Sequence, residues 1–399
     1  MKSVSASTLA KAAAIIAQAE DSVGIGDSDR AVRVNLERLI KSLERSGGLS
    51  PAGAERTRRQ FTQDTVNRLT GLKWIHEYPE IAAEPISAPV FLMGLPRSGT
   101  TYLQYLFDRD PRFRLIRTWE SMAPSPPPGF DHDSALRRRA EWAERHRREH
   151  PTFEGFDALH LYDEDGSDEC HAFLEQSFGA AGLQNLFRVP DYFDYILDEL
   201  DFLETYRIHK RQLQLLQWRS PPRRWALKYP NHVIAMEEIL EVYPDARLVM
   251  THRDPIQTLA SISKMTFNLR GLRTGSSVNP TQVGGDMMHF VARHIDRILD
   301  FDRGEHGARV VHVDYYALVA DPVAALRKIF AGLRIDSPDV VLDAVGQWQR
   351  SNPKNARGRN DYTLEQWGLK ADTVAEQFGE YMRRFDIPRE QSGLARVSV

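Results

Sequence analysis

Cysteine is nearly absent from this sequence, since Cys170 is the single one among 399 residues. No intramolecular disulfide and no cysteine-rich metal cluster can therefore form. An excess of either charge is also missing, because 52 Lys and Arg residues stand against 55 Asp and Glu residues. This balance argues against a protein that is held on DNA or RNA by bulk charge, and we expect no nucleic-acid partner.

Long hydrophobic runs are missing as well. No stretch approaches the roughly 18 consecutive apolar residues of a membrane-spanning helix, and Lys11 interrupts the apolar run near the N-terminus. We therefore expect no membrane span and no secretory signal, and interpret the protein as cytoplasmic. The composition, with 42% hydrophobic and 27% charged residues, is typical of a soluble globular protein.

Residues 1 to about 85 show helical periodicity and no convincing strand. Apolar residues recur at helical spacing between Val32 and Leu43, and a second helical pattern covers residues 51–72. We predict a helical N-terminal subdomain over residues 1–85, a main domain over 86–385 and a loose tail over 386–399.

Four short apolar runs alternate with helical patterns through the main domain. The runs cover residues 88–93, 225–227, 247–250 and 310–313, and the helices predicted after them cover 102–109, 233–242, 256–265 and 315–333. This alternation predicts an α/β fold with a parallel sheet and helices on both faces. A mostly helical insertion over about 115–222 separates the first two runs.

The loop after the first run carries the strongest functional signal. Its residues, Gly94-Leu95-Pro96-Arg97-Ser98-Gly99-Thr100-Thr101, connect a strand to a helix, where backbone N–H groups and the helix dipole suit an anion. The two glycines have the spacing of a nucleotide P-loop, but Thr100 replaces the Lys that follows the second glycine. The positive charge lies inside the loop instead, at Arg97, and no strand-end acid is evident to hold Mg²⁺. A standard NTPase is therefore disfavoured, and a P-loop-like anion site is predicted.

These residues resemble the 5′-phosphosulfate-binding loop of sulfotransferases that use 3′-phosphoadenosine 5′-phosphosulfate (PAPS). The resemblance is to the bacterial branch related to the protein-tyrosine sulfotransferases, and it extends to Arg253, Ser261 and the segment 227–232. It implies that the 3′-phosphate of the donor is bound by Arg253 and Ser261, and a guanidinium group suits bidentate contact with a phosphate. It also implies a 5′-phosphosulfate site formed by Arg97, Ser98, Gly99, Thr100 and Thr101.

Lys228 is the third element of the resemblance. It ends a predicted strand, and ligands of open α/β sheets bind in the crevice at the carboxyl ends of the strands. The resemblance implies that Lys228 contacts the bridging and transferring oxygens of the donor and stabilises charge on the leaving phosphate. It further implies direct in-line transfer with Arg97 at the reacting group.

An acceptor hydroxyl must also lose a proton, which requires a base. Cytosolic small-molecule sulfotransferases carry a histidine two residues after the equivalent Lys, but Pro230 stands there in this chain. Tyrosine-sulfating relatives use a Glu shortly after the phosphate-loop helix, and Glu120 lies in the matching region. The candidates for this base are Glu120 and His232. Glu120 could instead be a loop carboxylate that pairs with Arg117. His232 could instead cap a helix or pack in the core.

Three further features are less specific. Arg357 and Gly358 belong to a basic loop that either closes over the 3′-phosphate or is merely solvated. The acidic residues Asp168 and Glu169 are interpreted as the start of a helix rather than a metal site. The aromatic residues of the insertion form either an apolar acceptor site or the insertion's own core; they include Phe153, Phe156, Phe173, Phe178, Phe187, Tyr192, Phe193 and Tyr195.

The sequence as a whole predicts transfer of a sulfuryl group from PAPS to a hydroxyl or amine of a small-molecule or lipid-like acceptor. No metal is expected. Two alternatives stay open at this point: a P-loop-like kinase acting on a small molecule, which would need ATP and Mg²⁺, and a non-catalytic nucleotide-binding protein of the same fold.

Overall fold

The computed structural model describes residues 11–46, 48–149, 166–275, 278–352 and 363–390. Five strands form one parallel sheet in the order β2-β3-β1-β4-β5. They are β1 (Val90–Gly94), β2 (Phe113–Arg114), β3 (Arg224–Lys228), β4 (Arg247–His252) and β5 (Val310–Asp314). The four predicted strands are present, and β2 is an additional strand of two residues that pairs with β3 through Phe113 and Arg224.

Both faces of the sheet are buried, which explains the unbroken apolar runs in its central strands. Phe91 and Met93 pack into one core, whereas Val90 and Leu92 pack into another on the opposite face. This architecture confirms the predicted α/β class with helices on both faces.

Within the described ranges three α-helices precede the sheet, and they are α1 (Ala12–Val23), α2 (Arg30–Ser46) and α3 (Pro51–Glu77). They share the larger core with the insertion, since the ring of Phe61 from α3 lies 5.5 Å from that of Phe178 and 5.8 Å from that of Phe187. Most aromatic residues of the insertion thus fill the main core; Phe153 and Phe156 lie outside the described residues.

Helix α4 (Thr100–Phe107) follows β1, and the connection from β2 to β3 contains six described helices. These six are α5 (Thr118–Met122), α6 (His132–Glu149), α7 (His171–Glu175), α8 (Leu183–Leu186), α9 (Pro190–Asp198) and α10 (Phe202–Gln217). A 3-10 turn over Pro230–Ile234 leads from β3 into α11 (Met236–Val242), and α12 (Pro255–Thr274) and α13 (Pro280–Arg303) follow β4. No helix in the described ranges is long and apolar enough to cross a membrane.

The prediction of one helix over residues 315–333 was wrong. The chain forms α14 (Tyr315–Ala320) and α15 (Pro322–Gly332), because Pro322 cannot donate a backbone hydrogen bond inside a helix and the carboxylate of Asp321 caps the second helix at Ala324 N. The chain continues through α16 (Asp339–Ser351), α17 (Ala371–Gln377) and α18 (Gly379–Arg384).

The strand order places three strand ends at one crevice. β1 lies between β3 and β4, so the loops that follow these three strands open side by side at the carboxyl edge of the sheet. The connections leave in opposite directions there, since β1 leads to the β2 edge and β3 leads across to β4. Ligands of open α/β sheets bind at such a switch point.

Candidate active site

The loop between β1 and α4 is built around two glycines with positive φ, Gly94 at 149° and Gly99 at 96°. A Cβ atom at Gly94 would lie 2.5 Å from the carbonyl oxygen of Thr251, and one at Gly99 would lie 2.7 Å from the ring of Tyr315. Glycine is therefore required at both positions for conformational and steric reasons. The loop turns tightly over the end of β4 and directs the first turn of α4 toward the crevice.

Ser98 stabilises this loop from within. Its hydroxyl donates to Leu95 O at 2.6 Å and is hydrogen-bonded to Thr251 Oγ1 at 2.7 Å, and its side chain is fully buried. Thr100 and Thr101 begin α4 after Gly99, where the first backbone N–H groups of a helix have no partner within the helix. The loop thus offers backbone donors, with the Ser98 hydroxyl engaged internally.

Arg97 connects the loop to the residues predicted for the 3′-phosphate. Its Nε donates to Ser261 Oγ at 3.1 Å, and Arg253 Nη1 donates to Arg97 O at 3.1 Å. Arg97 has a φ of 72°, a conformation that non-glycine residues rarely adopt. The structure therefore brings Arg97, Arg253 and Ser261 into one connected site.

Arg253 has an acidic partner from the far end of the chain. Its Nε donates to Glu390 Oε2 at 3.1 Å and its Nη2 donates to Glu390 Oε1 at 2.9 Å. Tyr316 donates its hydroxyl to Glu390 Oε2 at 3.1 Å, and Glu390 N donates to Asp254 Oδ2 at 2.9 Å. Asp254 itself caps α12 by accepting from Ile256 N. Sequence reasoning missed Glu390, since no local pattern relates it to Arg253.

Lys228 lies at the end of β3, on the other side of the loop. Its ammonium group donates to Thr101 Oγ1 at 3.1 Å and forms an ion pair with Glu169 Oε1. The side chain of Lys228 is 1% exposed, whereas that of Glu169 is 19% exposed. The ammonium group is therefore held between the first turn of α4 and a carboxylate nearer to solvent.

Glu169 is a site residue that sequence reasoning did not select. Backbone hydrogen bonds fix its segment, since Asp168 N donates to Ile116 O at 2.8 Å and Cys170 N donates to Lys228 O at 2.9 Å. The acidic pair before α7 is visible in the sequence, where it is typical of a helix start. The signal that could have identified Glu169 is the need of a buried strand-end lysine for a carboxylate partner.

Glu120 is buried near the start of α5, and both of its carboxylate oxygens accept hydrogen bonds. Arg114 Nη2 donates to Oε1 at 2.8 Å and Arg117 N donates to Oε2 at 2.9 Å. The side chain of Arg117 pairs instead with Asp108, at 2.7 Å. The structure thus places Glu120 in a buried ion pair and at a helix start.

His232 lies in the 3-10 turn after β3 and is fully buried. Its Nδ1 is hydrogen-bonded to the hydroxyl of Tyr206 at 2.7 Å, and its ring meets the ring of Phe91 edge-on at 5.0 Å. Burial, followed by the nearby His209 and Lys228, holds the pKa of His232 well below its ordinary value. The ring therefore packs in the core beneath the sheet.

The remaining predictions concern the basic loop and metal binding. Arg357 and Gly358 lie outside the described residues, so their expected contact with the 3′-phosphate stays a prediction. Among the residues with described positions, no group of three or more His, Cys, Asp or Glu side chains is arranged to hold a metal ion.

Comparison with known proteins identifies relatives over most of the chain. A profile described as the sulfotransferase family matches residues 89–339. The chain is 26% identical over 344 residues to the omega-hydroxy-beta-dihydromenaquinone-9 sulfotransferase of Mycobacterium bovis, which aligns 83% of this chain and 84% of that protein.

Solved structures show the same architecture. The crystal structure of a sulfotransferase from Mycobacterium avium superposes with a TM-score of 0.87 at 26% identity, covering 98% of this chain and 99% of that one. One from Mycobacterium tuberculosis superposes with a TM-score of 0.81 at 27% identity, covering 94% of this chain and 99% of that one. The structural likeness includes the N-terminal helices as well as the sheet.

Proposed function

Since the chain belongs to the sulfotransferase family, we propose that it transfers a sulfuryl group from PAPS to an acceptor hydroxyl or amine. The observation that carries the proposal is the chain of hydrogen bonds from Arg253 through Arg97 to Ser261. It joins the loop after β1 to the end of the neighbouring strand β4 and to α12. A donor with anionic groups on both its 5′ and 3′ positions fits such a paired site.

The cationic groups suit the two ends of this donor. The N–H groups at the start of α4, together with Arg97, would bind the 5′-phosphosulfate, since helix N-termini favour anions. The guanidinium group of Arg253 would bind the 3′-phosphate bidentately, as it now binds the carboxylate of Glu390, and Ser261 would complete that contact. No step of this arrangement requires a metal ion.

Lys228 would act at the reacting bond. Its ammonium group already contacts the first turn of α4 at Thr101, so a sulfo group seated on that turn lies within its reach. As the bond from sulfur to the bridging oxygen breaks, negative charge grows on the phosphate, and the fixed positive charge of Lys228 stabilises it. The acceptor attacks sulfur from the opposite side in one displacement.

A relative supports a proposal for the class of acceptor. The mycobacterial enzyme of similar sequence is named for a hydroxylated dihydromenaquinone. We propose that the acceptor here is likewise a hydroxyl of a small or lipid-like molecule.

Ligand-induced stabilisation tests the donor. Adenosine 3′,5′-bisphosphate should raise the melting temperature, because a ligand present at a hundred times its Kd adds about 2.7 kcal/mol of stability. ATP with Mg²⁺ should have little effect. Stabilisation by ATP·Mg²⁺ alone would instead support a kinase. Binding of the bisphosphate without sulfuryl transfer to any hydroxyl or amine acceptor would indicate a non-catalytic nucleotide-binding protein.

A further inference from the structure

The carboxylate of Glu169 lies next to the ammonium group that would act at the reacting bond. Its Oε1 pairs with the ammonium group of Lys228, and that group also contacts Thr101 on the donor side. These three side chains therefore run in order from the phosphate loop to the carboxylate. Glu169 is the more exposed partner, so its carboxylate is the end of this row that lies nearer to solvent.

We propose that Glu169 is the proton acceptor of the reaction, an inference that rests on the proposed function. The oxygen of the acceptor hydroxyl forms a bond to sulfur, and the bond from sulfur to the bridging oxygen breaks. The electron pair of the broken bond goes to the phosphate of adenosine 3′,5′-bisphosphate. The hydroxyl proton goes to the Glu169 carboxylate, while Lys228 keeps its own protons throughout.

The ion pair explains why the donor would bind before the acceptor loses its proton. Without a donor, Lys228 neutralises Glu169. When the sulfo and phosphate oxygens of the donor bind, they compete for the same ammonium group. The electrostatic interaction between Lys228 and Glu169 is then weaker. The carboxylate of Glu169 becomes a stronger base at the stage when an acceptor proton must leave.

The segment that carries Glu169 is held firmly enough for this role. Asp168 and Cys170, on either side, hydrogen-bond through their backbone N–H groups to Ile116 O and Lys228 O. In addition, Gln104 of α4 donates its amide to Asp168 O at 2.7 Å. The segment is thus anchored to both the phosphate-loop helix and β3, which fixes the carboxylate relative to the reacting group.

The two residues suggested by the sequence are placed less favourably. Glu120 directs its oxygens to Arg114 and to the N–H group of Arg117. His232 is fully buried against Phe91 and bonded to Tyr206. Of the three groups, Glu169 alone contacts Lys228 directly in the described structure.

The test compares Glu169→Gln with wild type on ring-substituted phenols. Phenol is neutral at the assay pH, so its sulfation needs a base, whereas 4-nitrophenol is largely ionised and needs little help. We expect kcat with phenol to fall by about 10²–10⁴-fold and kcat with 4-nitrophenol to fall by much less. Glu169→Asp, which keeps the charge but shortens its reach, should lie between wild type and Glu169→Gln.

Donor binding provides the second measurement. Calorimetric titration with adenosine 3′,5′-bisphosphate should show equal or tighter binding to Glu169→Gln, because Lys228 has lost a competing carboxylate. The matched control is Glu199→Gln, which breaks a surface ion pair with Arg38 and should leave turnover unchanged.

Each contrary result has a distinct meaning. Equal loss of turnover with both phenols would make Glu169 a positioning residue for Lys228, and unchanged turnover would remove it from the reaction; either overturns this proposal alone. Failure of the wild-type protein to bind adenosine 3′,5′-bisphosphate would instead overturn the proposed function beneath it.

Discussion

Glu390 presents its carboxylate to the guanidinium group of Arg253 through two hydrogen bonds, of 2.9 and 3.1 Å. A phosphate group would engage the same guanidinium in the same bidentate way. The chain thus places an anion of its own on the residue that we propose for the 3′-phosphate of the donor. The donor must displace this carboxylate or share Arg253 with it.

Replacing Glu390 with Gln should therefore strengthen the binding of adenosine 3′,5′-bisphosphate. Partly exposed ion pairs contribute about 0.2–1 kcal/mol, so Kd should fall by about 1.4- to fivefold, as measured by calorimetric titration. Adenosine 5′-monophosphate, which has no 3′-phosphate, serves as the control and should bind equally to both proteins. Weaker binding of adenosine 3′,5′-bisphosphate alone would mean that Glu390 holds Arg253 in place.

Removing the charge of Lys228 should abolish sulfuryl transfer. Since its side chain is buried at the end of β3, Lys228→Met is preferable to alanine because it fills the space. We expect turnover more than 100-fold below wild type, and the same for Arg97→Ala. Lys210→Met is the matched control, because Lys210 donates to Val242 O and has no place in the proposed site. Turnover of either site variant within tenfold of wild type would refute the assignment of the phosphosulfate site.

Much of the fold could be predicted because short stretches of sequence show the hydrophobic pattern of buried strands and helices. The apolar runs of β1 and β4 are buried on both faces, and each is followed by a turn and a helix, so the parallel sheet was visible. β2 could not be predicted, because two residues such as Phe113 and Arg114 are too few to show a hydrophobic pattern. Their pairing with β3 decides their conformation.

The candidate site likewise contains some residues that the sequence predicts and others that only the structure shows. The glycines at 94 and 99 and the strand-end lysine at 228 are recognisable from local sequence. The partners of Lys228 and Arg253 are not, since Glu169 and Glu390 meet them only through the tertiary fold. A local pattern can suggest a cation in a crevice, but it does not show which carboxylate faces it.

Arg253 and Ser261 should determine the preference for a donor with a 3′-phosphate. The double variant Arg253→Ala with Ser261→Ala should lose its preference for PAPS over adenosine 5′-phosphosulfate by about 10- to 100-fold, because a hydrogen bond to a charged group contributes roughly 1.5–3 kcal/mol. The measurement is kcat/KM with each donor. Ser263→Ala, a buried serine on the same helix, is the control. An unchanged preference in the double variant would place the 3′-phosphate elsewhere.

Glu120→Gln should lower the free energy of unfolding and have only a small effect on kcat. The change removes the charge that balances the buried guanidinium of Arg114, and breaking a buried pair typically costs about 3–5 kcal/mol. We expect the low end of that range, since the amide oxygen can still accept one hydrogen bond. Urea unfolding measures the loss. Full stability combined with a 100-fold lower kcat would instead identify Glu120 as the proton acceptor, against our proposal for Glu169.

Buried histidines should make the protein sensitive to acid. His209 is fully buried, its Nδ1 is hydrogen-bonded to the Tyr243 hydroxyl at 2.8 Å, and burial lowers its pKa from 6.5 to about 3. Between these two pH values the unfolded chain binds a proton at His209 and the folded chain does not. Stability from this residue is therefore complete above pH 6.5 and is lost as the pH falls toward 3.

His209→Gln isolates this effect, because Gln can still bond to Tyr243 but does not titrate. The free energy of unfolding of wild type, relative to the variant, should fall by about 1.4 kcal/mol for each pH unit below 6.5. Burial raises the pKa of Glu175, which acts in the opposite direction, but that contribution is common to both proteins and cancels in the difference. Urea unfolding at about pH 7, 6 and 5, which are one-unit steps across the start of this pH range, gives the slope. Parallel curves for the two proteins would show that His209 takes up a proton within the folded core.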